Sequence, residues 1–131
     1  MAIVKFGGDA QDLLAKRAFT VEAFSASSRL KEHFEKFGKM PATPQEAGVA
    51  PHYEVNWDLH DTNGTNMFRL THDISVDQDS ILVVFTGISE VGPVTLIIRP
   101  VSDTVPVSWD CTGGTLEDEY RPEKCRKRLG N

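Results

Sequence analysis

Between Asp9 and Phe37 the apolar residues recur with helical spacing. Phe19, Ala23, Ala26, Leu30, Phe34 and Phe37 stand three or four apart, which draws one stripe along a helix. Lys16, Arg17, Glu22, Lys31, Glu32, Glu35 and Lys36 fall mostly off that stripe. No Gly or Pro interrupts the run, so a helix is predicted over residues 10–37. Gly38 follows where a left-handed C-cap would sit, and Pro41 forbids continuation. A second, weaker apolar line runs through Leu14, Ala18, Val21 and Phe24 or Ser25, then fades into Ser28. Either these residues edge one broad buried face, or the helix has a sheet on one side and a partner on the other.

The texture changes after Gly38. Pro41, Pro44, Gly48, Pro51 and Gly64 punctuate a stretch that reads as a connection over residues 38–66, ending in the turn signal Asp61-Thr62-Asn63-Gly64. Within it, His52 to Trp57 alternates well enough for a short strand. A connection so long calls for a function or for structure of its own. Four strand-like runs follow: Met67 to Val76, Ser80 to Thr86, Val94 to Val101 and Val105 to Cys111. Asp77-Gln78-Asp79, Gly87 through Pro93, and Ser102-Asp103 supply the turns. Connections this short predict an antiparallel meander over residues 67–111, and one helix followed by consecutive strands is α+β.

The chain has 131 residues, enough for one domain with a real core, and its formal charge of −5 argues against general nucleic-acid binding. The longest unbroken apolar run, Ile81 to Phe85, is far below the ~20 residues of a bilayer-spanning helix. Residues 1–9, with Gly7-Gly8 and no helical stripe, read either as a native strand or, more naturally, as a leader joined to a shortened protein, and are set aside from the fold. The two cysteines, Cys111 and Cys125, can be a buried pair, half a metal site or a disulfide. Their spacing is not that of a CxxC motif, and the histidines at 33, 52, 60 and 72 lie far upstream. A disulfide is the favoured reading and implies an oxidising compartment. No secretory signal is present, so that reading expects the natural N-terminus to have been removed.

At the closing loop the residues resemble a known family. Trp109-Asp110-Cys111, Gly114-Thr115-Leu116, Tyr120-Arg121-Pro122 and Cys125-Arg126 are similar to the C-terminal disulfide-bonded D-region of type IVa pilins. Val21-Glu22-Ala23-Phe24-Ser25-Ala26-Ser27 is similar to the middle of the pilin α1 helix, and Gly38-Lys39-Met40-Pro41 to the turn that ends it. The resemblance covers residues 10–126. It implies the pilin fold: a long N-terminal helix packed on a four-stranded antiparallel sheet, an αβ-loop between them, and a D-region over residues 111–131. It implies a headpiece lacking the prepilin leader and the hydrophobic first half-helix. It also implies a subunit of an extracellular bacterial filament serving adhesion, twitching motility or DNA uptake. Other subunits and the pilus assembly machinery of the inner membrane are the expected partners, with membrane anchoring before assembly and no cofactor. The line of Leu14, Ala18, Val21 and Phe24 becomes the face turned to neighbouring subunits. Two departures stand out: a helix-to-turn segment a few residues short, and a longer, more basic Arg126-Lys127-Arg128 tail.

No signature of catalysis is present: no GxSxG, HExxH or phosphate loop. Asp58, His60 and Asp61 are metal ligands by type but sit in turn-rich sequence. Asp73, Asp77 and Asp79 lack the glycine and glutamate of an EF-hand loop. They read as turn carboxylates, with a calcium-binding pseudopilin of type II secretion as the alternative and no metal site expected. Arg121, Lys124, Arg126, Lys127 and Arg128 form a basic cluster. It can contact DNA phosphates, as in a minor pilin acting as a DNA receptor or adhesin. It can equally meet Glu117, Asp118, Glu119 and Glu123 or a neighbouring subunit. The absence of interleaved aromatics favours the structural use.

Overall fold

The computed structural model describes residues 2–61, 64–89, 91–101 and 107–127, with side chains described over 14–56, 69–89, 91–101 and 107–127. The helix α1 spans Ala2–Phe37. At 36 residues it is about 54 Å long. It runs through residues 2–9 of the segment expected to stand outside the fold, Gly7-Gly8 included. A glycine costs a helix only about 1 kcal/mol, and an established helix gains one hydrogen bond for each residue added. Gly38 ends α1 as predicted, with φ 77° and its N–H donating to Phe34 O at 2.7 Å.

The buried face of α1 carries Ala15, Phe19, Ala23 and Leu30, with Phe34 partly covered. Thr20 and Ser27 lie fully buried among them. They can, because each hydroxyl donates back into its own helix, to Arg17 O at 2.9 Å and Phe24 O at 2.8 Å. Phe37 departs from the predicted stripe at 56 % exposed. It repeats the angular position of Phe19 five turns on, so its exposure is axial: the helix has passed the end of the core.

Five strands follow in one antiparallel sheet, ordered as they occur in the chain. They are β1 (His52–Asp61), β2 (Gly64–Val76), β3 (Ile81–Ser89), β4 (Gly92–Pro100) and β5 (Trp109–Gly113). The expected αβ-loop is therefore corrected. It holds a short 3-10 turn at Pro44–Ala47 and then a ten-residue strand, which makes the sheet five-stranded. β1 pairs with β2 from His52↔Asp73 to Asp61↔Gly64. Asp61 and Gly64, the outer residues of the expected turn signal, are the last pair of that ladder.

β3 and β4 make the middle of the core. Ile81, Val83 and Phe85 oppose Ile98, Leu96 and Val94, and all six are buried. Directly opposed pairs of this kind are the unit of sheet stability. β3 extends past the predicted end at Thr86 by bulging between Phe85 and Ser89. The bulge changes the phase of alternation, so that Phe85 and Ile88, three apart, face the same core. Gly87 at its centre has φ 95°, and a Cβ there would stand 2.2 Å from Arg69 O, which no other residue tolerates without rearrangement. The last strand begins later than predicted, at Trp109. Residues 102–106, expected as turn and strand start, lie outside the described residues.

Candidate subunit-contact surfaces

Two surfaces were marked by sequence, the outer line of α1 and the basic tail. Leu14 and Val21 are 64 % and 62 % exposed, and Ala18 is exposed between them. The fourth residue of that line, Phe24, is instead half-buried and packs against the core. At 100° per residue it lies about 40° from buried Thr20 and about 60° from Val21, so it flanks the inner face. The outward line is thus Leu14, Ala18 and Val21. Beside it a groove of about 240 Å³ runs between α1 and the sheet, lined by Ala15, Ala18, Phe19, Tyr53, Val55 and Leu70 among others.

The far end is closed by a disulfide between Cys111 and Cys125, with a Sγ–Sγ distance of 2.02 Å. The loop it closes lies back on β4. Leu116 N donates to Thr95 O at 2.8 Å, while Thr95 and Thr115 each donate a backbone N–H to the other's hydroxyl, at 3.0 and 3.1 Å. Leu116 is thereby buried. Gly114 permits the approach: at φ 91°, a Cβ would stand 2.3 Å from Thr95 O.

Arg121 lies beneath this loop, only 2 % exposed. Its guanidinium donates to Leu116 O at 2.8 Å, Cys111 O at 2.9 Å, Gly113 O at 2.9 Å and Cys125 O at 3.4 Å. The flat fork of donors suits a ring of backbone acceptors that the disulfide loop turns inward. Burial lowers its pKa, with the charges of Asp118 and Asp110 acting against that shift. Arg121 is an internal strut, withdrawn from any surface contact. The rest of the basic cluster divides further. Arg126 is half-buried and donates to Arg121 O at 3.2 Å. Lys127 is exposed, with its backbone N–H on Asp118 and its ammonium on Gly114 O. Lys124 is exposed and close enough to Lys31 to help lower that group's pKa, after burial, the larger cause. Arg128 lies outside the described residues.

The closed end is seated on α1 at two points. Arg17 donates to Glu119 O at 3.1 Å. Trp109 donates its indole N–H to Glu35 at 3.1 Å, meets Phe34 edge-on at 5.4 Å, and has the Lys31 ammonium 5.9 Å from its ring. The carboxylates considered as metal ligands have other work. Asp73 accepts from His52 at 2.6 Å, and Asp77 accepts from the backbone N–H of Gln78 at 2.8 Å. The side chains of Asp58, His60 and Asp61 are outside the described set. Among the described residues no group of three or more His, Cys, Asp or Glu is arranged to hold a metal.

Among the buried polar residues left without a role by sequence, His72 stands apart because its polar atoms are unpaired. His72 is 2 % exposed, set between the buried Leu70 and Ile74 of β2. That period-two position was its available signal.

A long helix laid on an antiparallel meander, with a disulfide-closed loop fastened to both, is the architecture of a filament subunit. The family model for pilins, described as bacterial filament proteins, matches residues 16–126. The chain belongs to the pilin family and is type IV pilin-like. Pilins are structural proteins that assemble with other pilin subunits into extracellular pili, and this chain is such a pilus subunit. Neither the curated proteins nor the solved structures contain a significant match. No helix among the described residues is long and apolar enough to cross a membrane.

Proposed function

We propose that the protein is a structural subunit of a type IV pilus and has no catalytic role, working in filaments used for adhesion, twitching motility or DNA uptake. The observation that carries this reading is the pilin match over residues 16–126, on a chain whose α1 keeps Val21, and Leu14 just before the matched stretch, bare. Large apolar side chains held outward on a rigid helix suit packing against a second subunit. On this reading the subunit is anchored in the inner membrane before assembly, the assembly machinery inserts it, and the outer line of α1 packs inside the filament. The exposed Lys124 and Lys127 then belong to the outer surface or to contacts between subunits.

The test is Val21→Glu in the full-length protein, expressed in cells that assemble its pili. The carboxylate is solvated in the free subunit, so folding should stay within about 0.5 kcal/mol of the parent. Filaments sheared from the cells and counted by electron microscopy should fall at least tenfold. Normal filament yield would refute the packing role. Salt-sensitive DNA binding by the native protein, lost on neutralising Lys124 and Lys127, would assign the tail to nucleic acid instead.

A further inference from the structure

His72 is hard to explain as packing. It is 98 % covered, and neither ring nitrogen has a hydrogen-bond partner. Its ring centroid lies 5.1 Å from Phe19 on α1, 5.2 Å from Tyr53 on β1 and 6.1 Å from Phe85 on β3. A phenyl ring would fill such a nest without leaving polar atoms unsatisfied. Its neutral imidazole fits this nest far better than its charged form, which would be cut off from water.

The surrounding charges do little to rescue an imidazolium. Asp73, next in the strand, favours it but is already hydrogen-bonded to His52. His52 itself opposes it. Glu54 and Arg69 lie close together on the sheet at 3.6 Å, with Glu54 also 3.7 Å from His52. On the helix side Glu22 and Arg29 line a cavity of about 250 Å³ together with His72, and they carry opposite charges. The ring faces could attract a cation, yet burial outweighs everything else and His72 is held below the ordinary histidine range.

The geometry also supplies a way out. The cavity lies where α1, residues 48–50 and Tyr53 meet. Arg29 fastens the loop there by donating to Gly48 O at 3.0 Å. We infer that His72 is an acid-operated latch: protonation of its imidazole opens the seam between α1, the 48–51 loop and the β1–β2 hairpin, while the disulfide-closed end stays seated. Because the closed seam disfavours the proton, the neutral, latched form is fully favoured above the ordinary histidine pKa of about 6.5. The open seam, with His72 hydrated, takes up the proton as pH falls below that value. The open-to-closed ratio then grows, approaching tenfold per pH unit, until the pKa of the closed form is reached.

The test combines ring NMR with amide exchange on the native protein between pH 8 and pH 5, above the range where most carboxylates titrate. The His72 ring should titrate below the ordinary value. Protection of residues 49–55, corrected for intrinsic exchange, should fall below pH 6.5 while that of residues 111–127 holds. His72→Phe should abolish the fall. Should that variant misfold, His72→Leu or the wild-type ring titration decides. A ring that titrates at or above its ordinary value, equal loss of protection in both segments, or the same fall in His72→Phe would each overturn the latch.

Discussion

The two ends of the sheet are fastened by opposite chemistry. At β5 the chain is locked by the Cys111–Cys125 bond and by an arginine that stays charged at any working pH while holding four carbonyls. At β1 the helix meets the sheet through rings: Phe19, Tyr53 and the uncharged His72, with Arg29 pinning the loop. The first end is indifferent to protons over the physiological range and answers to reductant. The second is indifferent to reductant and answers to protons. A buried polar group can therefore rigidify or loosen a seam, and what decides is whether its partners are present.

The largest effect expected on this contrast comes from Arg121→Met. It leaves the inward carbonyls of Cys111, Gly113, Leu116 and Cys125 short of donors and should cost about 4 kcal/mol. Urea unfolding should show it; a loss under 1 kcal/mol would mean water replaces the guanidinium freely. Next comes reduction of the disulfide in the wild type. Releasing a loop of 15 residues should cost about 3 kcal/mol, or about 10 °C in melting temperature. The loss should be the same at pH 7.5 and pH 5.5, measured by calorimetry with and without reductant; strong pH dependence would dissolve the distinction between the ends. Smallest is His52→Gln. His52 has its pKa raised, chiefly by its hydrogen bond to Asp73. Its folded pKa lies above the unfolded one, so the stability it adds is present below about pH 6.5 and lost as pH rises through the folded value. Removing it should slightly destabilise the acidic side only, opposite in sign to His72→Phe; thermal melts at both pH values would read it.

Much of this architecture was legible from local periodicity. The stripe of Phe19, Ala23, Leu30 and Phe34 and the alternation of Ile81, Val83 and Phe85 are dictated by the spacing of apolar residues, and burial follows spacing. Gly38 worked as a stop because its left-handed conformation is a backbone property. What escaped depends on neighbours distant in sequence. β1 was legible only as a short strand from His52 to Trp57 inside a connection, because Pro, Gly and turn residues punctuate the sequence around it. Its full ten residues and its place in the sheet come from pairing with β2. Arg121 looks like its basic neighbours until the loop's carbonyls converge on it. Phe37 left the core because a helical wheel gives angle but not how far the sheet extends along the axis, whereas Phe24 joined it because its angle flanks the inner face.

The strand order bears on how the chain reaches its native state. Each strand pairs with the strands beside it in sequence, so the sheet can grow as successive hairpins, each closing a short loop. The contacts that span the chain are those seating the last segment on the helix, Trp109 to Glu35 and Glu119 to Arg17, 74 and 102 residues apart. They complete the molecule rather than nucleate it. With only two cysteines in the sequence, oxidation has a single intramolecular outcome. Between these two cysteines the crosslink has no wrong partner and needs no reshuffling.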